Sequence, residues 1–166
     1  MIQKNESTIV KAEKKDSATI LFFIKQLAEY EKLTHEVTAT VEQIEESLFG
    51  ENPKAECIIA YFENKPVGFA LFFHNFSTFL GKAGIYLEDL FVLPEMRGKG
   101  FGKALLKYLA KLAVERNCGR LEWAVLNWNT PSIEFYKSLG AAPMNEWTVF
   151  RLTGDSLYKL ADKKQQ

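Results

Sequence analysis

The sequence predicts a mixed α/β (α+β) protein in which helices flank a single, mostly antiparallel sheet. Two observations predict it. Segments with helical periodicity stand both before and after a meander of strand-like segments. The chain has 166 residues, of which 47% are hydrophobic and 25% charged, the size and composition of one globular domain with a substantial core. No internal repeat and no Gly/Ser/Pro-rich linker divides it, so a single domain over residues 1–166 is expected.

Residues Thr8 to Ala12 suggest a short first strand. Asp16 or Ser17 can cap a helix running to about Lys32, with Ile20, Ile24, Leu27 and Ala28 on one face. Thr40 and Gln43 have capping-box spacing and open a second helix over Val41 to Leu48, stopped near Gly50. Glu56 to Phe62 reads as a strand, Glu63-Asn64-Lys65-Pro66 as a turn and Val67 to Phe76 as the returning strand. Ser77 to Gly84 reads as a loop. Ile85 to Leu93 is an apolar strand interrupted by Glu88-Asp89, and Pro94 to Gly100 is a Gly-rich turn. A helix is expected over Gly100 to Asn117, with Leu105, Leu109 and Leu112 on one face, then a strand over Arg120 to Leu126, a helix over Pro131 to Leu139 and a strand over Trp147 to Leu152.

Composition excludes several classes of function. Lys+Arg and Asp+Glu each total 21, a formal net charge of +0, which argues against a general nucleic-acid binder needing a basic surface. No apolar run approaches the ~18–20 residues of a membrane span, and the polar first 17 residues lack the apolar centre of a signal peptide. A cytoplasmic protein with no membrane and no nucleic-acid partner is expected. Cys57 and Cys118 form no Cys-x-x-Cys pair, and His35 and His74 lack ligand spacing, so no metal is expected.

The informative segment is Glu95-Met96-Arg97-Gly98-Lys99-Gly100-Phe101-Gly102-Lys103. It follows a strand and opens a helix. Its three glycines let the backbone turn sharply and aim several N–H groups at one spot. The helix N-terminus adds partial positive charge, and Arg97, Lys99 and Lys103 add full charges. This is an anion cradle, and phosphate is its usual guest. A P-loop would need Gly at Arg97 and Ser/Thr at Ala104, and a dinucleotide fingerprint would need Gly at Lys103 or Leu105. Both fail. What remains is Arg97-x-x-Gly100-x-Gly102.

That remainder resembles the R/Q-x-x-G-x-G/A signature of the GNAT acetyltransferase superfamily. Three further stretches extend the resemblance to its diamine branch, the spermidine/spermine and thialysine N-acetyltransferase type: Gln26 to Leu33, Tyr86-Leu87-Glu88-Asp89-Leu90-Phe91-Val92, and Trp128-Asn129-Thr130-Pro131-Ser132-Ile133-Glu134-Phe135-Tyr136-Lys137-Ser138-Leu139-Gly140-Ala141. It covers roughly residues 7 to 152. The resemblance implies the GNAT fold, acetyl-coenzyme A as co-substrate, a small-molecule amine as acceptor, and a homodimer with each active site near the subunit interface.

It also implies roles. The thioester would lie along Leu90, Phe91 and Val92, whose backbone would pair with the pantetheine arm like an extra strand. Arg97, Gly98, Lys99, Gly100, Phe101, Gly102 and Lys103 would take the pyrophosphate, and Asn129, Thr130, Pro131 and Ser132 would flank the coenzyme. Tyr136 would be the general acid, because a phenol of pKa ~10 stays protonated at neutral pH and can donate to a departing thiolate of pKa ~8.5. Glu88 would be base or water holder, since a primary amine of pKa ~10.4 is only about one part in a few thousand neutral at pH 7. Adjacent strand residues face opposite sides, so one of Glu88 and Asp89 is expected to line a given pocket. Tyr30, Glu31, Glu122, Trp123 and Ala124 match acceptor-lining positions, and the carboxylates of Glu31, Glu88 and Glu122 would suit a cationic substrate. Asn127 departs from the pattern, since the diamine enzymes usually carry an acid there. Two other functions stay open: acetylation of a protein N-terminus or lysine, and a non-catalytic acyl-CoA-binding module.

Overall fold

The computed structural model describes residues 7–163. The chain forms two compact units, residues 1–126 and 127–166.

The first unit is a five-stranded sheet in the order β1 (Ser7–Lys11), β2 (Glu56–Phe62), β3 (Lys65–Ser77), β4 (Lys82–Val92), β5 (Leu121–Trp123). The first three pairings are antiparallel and β4 pairs β5 in parallel, as the mostly antiparallel reading expected. Helices α1 (Ser17–Glu31) and α2 (Val41–Phe49) precede β2, and α3 (Phe101–Glu115) joins β4 to β5. Among the described residues no helix is long and apolar enough to cross a membrane.

Alternation along the strands explains the two cores. Cys57, Ile59, Phe69, Leu71 and Phe91 face α1 and α2, where they pack with Ile20, Leu21, Phe23, Ile44 and Leu48. The intervening Ile58, Ala60, Ala70 and Phe72 are equally buried on the other face, as are Leu105 and Leu109 of α3. Phe23, fully buried, stacks on Phe69 at 5.4 Å and lies 6.4 Å from Phe91. On the α3 face, Phe101 meets Phe62 edge-on at 6.0 Å. Arg116, at the end of α3, makes a bidentate pair with Glu56 of β2, which holds the Glu56 carboxyl down at about 2.

Local chemistry sets the boundaries. At the start of α2, Thr40 Oγ1 accepts from the Gln43 N–H while Gln43 Oε1 accepts from the Thr40 N–H, the predicted capping box. Between β2 and β3 the turn is only Glu63-Asn64, both at positive φ (49° and 62°), the backbone twist a two-residue hairpin requires. Lys65 and Pro66 belong to β3.

Several expectations needed correction. The loop read at Ser77 to Gly84 is only 78–81, because Ser77 through Phe73 pair with Lys82 through Tyr86. The strand expected over Arg120 to Leu126 pairs only at Leu121–Trp123. The apolar strand runs through Glu88-Asp89 as expected, but with a bulge that was not foreseen: Leu71 pairs with Asp89 and Phe72 with Leu87, leaving Glu88 as the extra residue.

The second unit holds α4 (Thr130–Ser138) and α5 (Gly154–Leu160). α4 starts where Asn129 and Pro131 predicted. The buried Asn129 side chain accepts from the Ser132 N–H, and Pro131 sits in the first turn, where a missing N–H costs nothing. It ends in a Schellman motif: Gly140 takes φ 88°, its N–H donates to Lys137 O at 2.9 Å, and the Ala141 N–H donates to Tyr136 O at 3.2 Å. The strand expected over Trp147 to Leu152 does not form, and α5 was not foreseen. A strand exists only through a pairing partner, and among the described residues this unit contains no strand to supply one. Trp147, Val149 and Phe150 are left exposed.

Candidate active site

β4 outruns β5, and this creates the site. The parallel pairing covers Ile85 to Leu87 against Leu121 to Trp123. Past Leu87, β4 continues for five more residues, Glu88 to Val92, paired with β3 on one side only. Among the described residues, the other edge of this stretch has no strand partner. An edge of free amide groups is a template for an extended guest chain. The side chains here are structural: Phe91 is buried in the α1-facing core, and Leu90 and Val92 are half-buried. Any contact with a guest therefore falls to the backbone.

This edge leads into the predicted cradle. A 3-10 turn over Pro94–Met96 redirects the chain. Gly98 and Gly100 then take φ 73° and 89°, left-handed values that penalise any residue with a Cβ. Nothing lies within 4 Å of where a Cβ would stand at either, so the turn faces open space. Gly102 does not share this role; it lies in the first turn of α3. The Ala104 N–H returns to Gly100 O at 2.9 Å, which leaves the earlier amides of α3 without an intrahelical acceptor. Lys103 is exposed beside them. Lys99 Nζ lies against the sulfur of Met96, at 3.6 Å. Phe101 contributes only its backbone, because its ring is in the core. Two left-handed glycines, the unbonded amides of a helix start and two lysines fit a pyrophosphate, and the free strand edge before them fits a pantetheine arm.

The bulge places the carboxylates. Cross-strand partners share a face, so Leu87, opposite Phe72, faces α3, whereas Asp89, opposite Leu71, faces α1. One extra residue, Glu88, breaks the alternation, so that Leu87 and Asp89, two residues apart, lie on opposite faces. Asp89 was not among the predicted site residues, yet its surroundings are the most perturbed there. Burial, then the charges of Glu88 and Glu31, push its carboxyl up to about 6. Glu88 itself is exposed, and Glu31, the last residue of α1, has its carboxyl raised by burial. The sequence marks Asp89 only as one of two acids in an apolar strand; which of them is enclosed depends on the register shift.

The other predicted residues divide. Tyr30 is half-buried beside Glu31, and its ring receives the Arg97 guanidinium at 4.5 Å. Glu122 pairs with Tyr86, on the same face as the bulge, but its charge is already matched: Arg120 Nε lies 2.7 Å away and Asn75 Nδ2 donates to it at 2.7 Å. Trp123 is half-buried opposite Leu87, and Ala124 is exposed just beyond β5. In the second unit, Asn129 through Ser132 form the capped start of α4, and Tyr136 is half-buried, its ring 5.5 Å from Phe135. Ser132 and Tyr136 are four residues apart and share a helix face. Among the described residues no group of three or more His, Cys, Asp or Glu side chains could hold a metal ion.

Comparison with known proteins shows the family. The profile of the Acetyltransferase (GNAT) family matches residues 23–141, across the boundary between the two units. Thialysine N-epsilon-acetyltransferase of Bos taurus is 38% identical over 166 residues, covering 93% of this chain and 97% of that protein. L-ornithine N5-acetyltransferase of Arabidopsis thaliana is 42% identical over 124 residues, 75% of this chain and 51% of that one. Among solved structures, an integron cassette protein from the V. cholerae mobile metagenome superposes with a TM-score of 0.80 at 30% identity, covering 95% of this chain and 98% of its own.

Proposed function

The chain belongs to the acetyltransferase (GNAT) family, and from that premise we propose that it transfers the acetyl group of acetyl-coenzyme A to a primary amine of a small diamine, polyamine or thialysine-like amino acid. One observation carries the reading: the edge of β4 without a strand partner begins at Glu88 and Asp89 and ends at the turn of left-handed glycines that opens α3. Bound along that edge, acetyl-coenzyme A supplies an activated acetyl group. The chain's own residues do the rest. The amides from Gly98 to Lys103, with Lys99 and Lys103, hold the pyrophosphate, and the backbone of Leu90 to Val92 aligns the arm. Asn129 to Ser132 flank the coenzyme.

The ammonium form of the acceptor is drawn to Glu31, Glu88 and Asp89. It must lose a proton before its nitrogen can attack, and Glu88 accepts it directly or through water. A specific observation favours Asp89 as a second acceptor. A carboxyl near 6 is a better match to neutral pH than an ordinary one. Tyr136 holds on its Oη the proton that the departing sulfur requires. The active form is a homodimer, a reading supported by the exposed Trp147, Val149 and Phe150 and checked by sedimentation.

Release of free coenzyme A thiol, assayed with thialysine, ornithine, spermidine, lysine and a short peptide, tests the reading. Turnover is expected with at least one small amine and not with the peptide. Coenzyme binding without turnover of any amine would instead favour a non-catalytic module.

Asp89 yields a signed pH prediction. Its folded pKa of about 6 exceeds the ordinary 3.8, so the folded state holds the proton more tightly than the unfolded one. The stability this confers is complete below the ordinary value and is lost as pH rises through about 6. Asp89→Asn is therefore expected to raise stability at pH 7.5, on the order of 1 kcal/mol, read as a higher Tm. It is also expected to abolish any fall in kcat/KM near pH 6. A variant no more stable than the parent at pH 7.5, with the acid limb unchanged, would remove Asp89 from the mechanism.

A further inference from the structure

One side chain joins the acceptor side of this unit to the cofactor side. Arg97 immediately precedes the cradle glycines. Its Nε donates to the carbonyl of Val92 at 3.0 Å, and its guanidinium carbon stands 4.5 Å from the ring centroid of Tyr30 and 5.4 Å from that of Phe91. Phe91 is fixed in the core. Val92 is the last residue of the free strand edge. Tyr30 is the penultimate residue of α1, followed by Glu31 and by Lys32, which takes a left-handed φ of 61° to end the helix.

A planar guanidinium donates in its plane while stacking its face on a ring, in one fixed geometry; an ammonium on a flexible stem has no face to stack and holds no such fixed arrangement. Arg97 uses both properties at once, and each partner belongs to a different element. Its side chain is thus engaged along β4 and α1, whereas the open space of the cradle lies over the backbone of Gly98 and Gly100.

We infer that Arg97 is a positioning residue for the amine acceptor: it fixes Tyr30, and with it the end of α1 that carries Glu31, against the strand edge, and is not a phosphate ligand. This rests on the acetyl-transfer reading above. Phosphate binding is then left to the backbone amides and to Lys99 and Lys103.

The test uses the full chain with Arg97→Met, Arg97→Lys, Tyr30→Leu and the Arg97→Met/Tyr30→Leu double variant. Kd for coenzyme A is measured by calorimetry, and KM is measured for whichever amine the parent turns over. Arg97→Met and Tyr30→Leu are each expected to raise the amine KM roughly 2- to 5-fold, with coenzyme A affinity within about twofold of the parent. The double variant is expected to be no worse than the worse single one, because both remove the same contact. Arg97→Lys is expected to behave like Arg97→Met.

A tenfold or greater loss of coenzyme A affinity in Arg97→Met, restored by Lys, overturns the inference in favour of a phosphate ligand. Strictly additive effects on the amine KM also overturn it. Failure of the parent to turn over any amine is seen before a variant is made and counts against the proposed function instead. In that event amide exchange decides the inference. The N–H groups of Lys32 and Leu33 donate to Glu29 O and Ala28 O at 3.1 and 2.8 Å. They should exchange at least several-fold faster in Arg97→Met and not in a Lys99→Met control. Unchanged exchange overturns it.

Discussion

Replacing Tyr136 by Phe is expected to lower kcat about 10²- to 10⁴-fold, the usual range for loss of a positioned general acid, while Kd for coenzyme A changes less than about twofold. The change removes one oxygen and keeps the ring, so the packing against Phe135 is retained. The backbone bonds that end α4 use the Tyr136 carbonyl, which the substitution leaves in place. A loss in kcat without a loss in coenzyme affinity is what removal of a group acting only during the reaction produces. The pH profile supplies a second reading. The parent should lose activity at alkaline pH as the phenol ionises, and Tyr136→Phe should lack that limb. A variant retaining kcat within about threefold of the parent would exclude Tyr136 as the acid.

The largest effect on stability is expected from Phe23→Ala, a loss of about 3–5 kcal/mol. Phe23 is fully buried and its ring stacks on Phe69, 10° from parallel. Truncation leaves a cavity between α1 and the sheet that a rigid strand cannot close. Against a typical stability of ~5–15 kcal/mol, this is a large fraction, read as a lower urea midpoint at unchanged slope. Phe22, next in sequence, is 47% exposed, and its replacement by Ala should cost under ~1 kcal/mol. Equal effects at the two positions would contradict the placement of α1. The consequence reaches the site, since α1 ends at Tyr30 and Glu31. Phe23→Ala should therefore raise the amine KM even under conditions where the variant remains folded.

Features encoded in short stretches were legible. The Thr40–Gln43 capping box and the Asn129 cap with Pro131 each depend on side chains within five residues of one another. The cradle belongs to this group, because left-handed glycines before a helix and clustered cations need no distant partner to declare themselves. Helix faces and the strand meander followed from periodicity for the same reason. The features that were misread involve pairing. The segment from Trp147 to Leu152 is rich in aromatic and β-branched residues, but composition reports only that residues suit a strand, not whether an edge exists to receive it. The loop read at Ser77 to Gly84 went wrong in the opposite sense, since Lys82 and Ala83 are drawn into β4 by Ser77 and Phe76.

The sequence by itself determined the family, the sheet's mostly antiparallel order and the glycine-rich turn before α3, since each is written in local spacing. Only the tertiary structure decided the surroundings of Asp89. A one-residue slip between Leu71 and Phe72 of β3 sets Asp89 opposite Leu71, where burial and the charges of Glu88 and Glu31 raise its carboxyl. It also decided that Glu122 is already neutralised by Arg120 and that Arg97 stacks on Tyr30. The physical reason is the same in each case. Charge, proton affinity and ring contacts depend on what stands a few ångströms away in space, and those neighbours are separated by tens of residues along the chain or exchanged by a single residue of register.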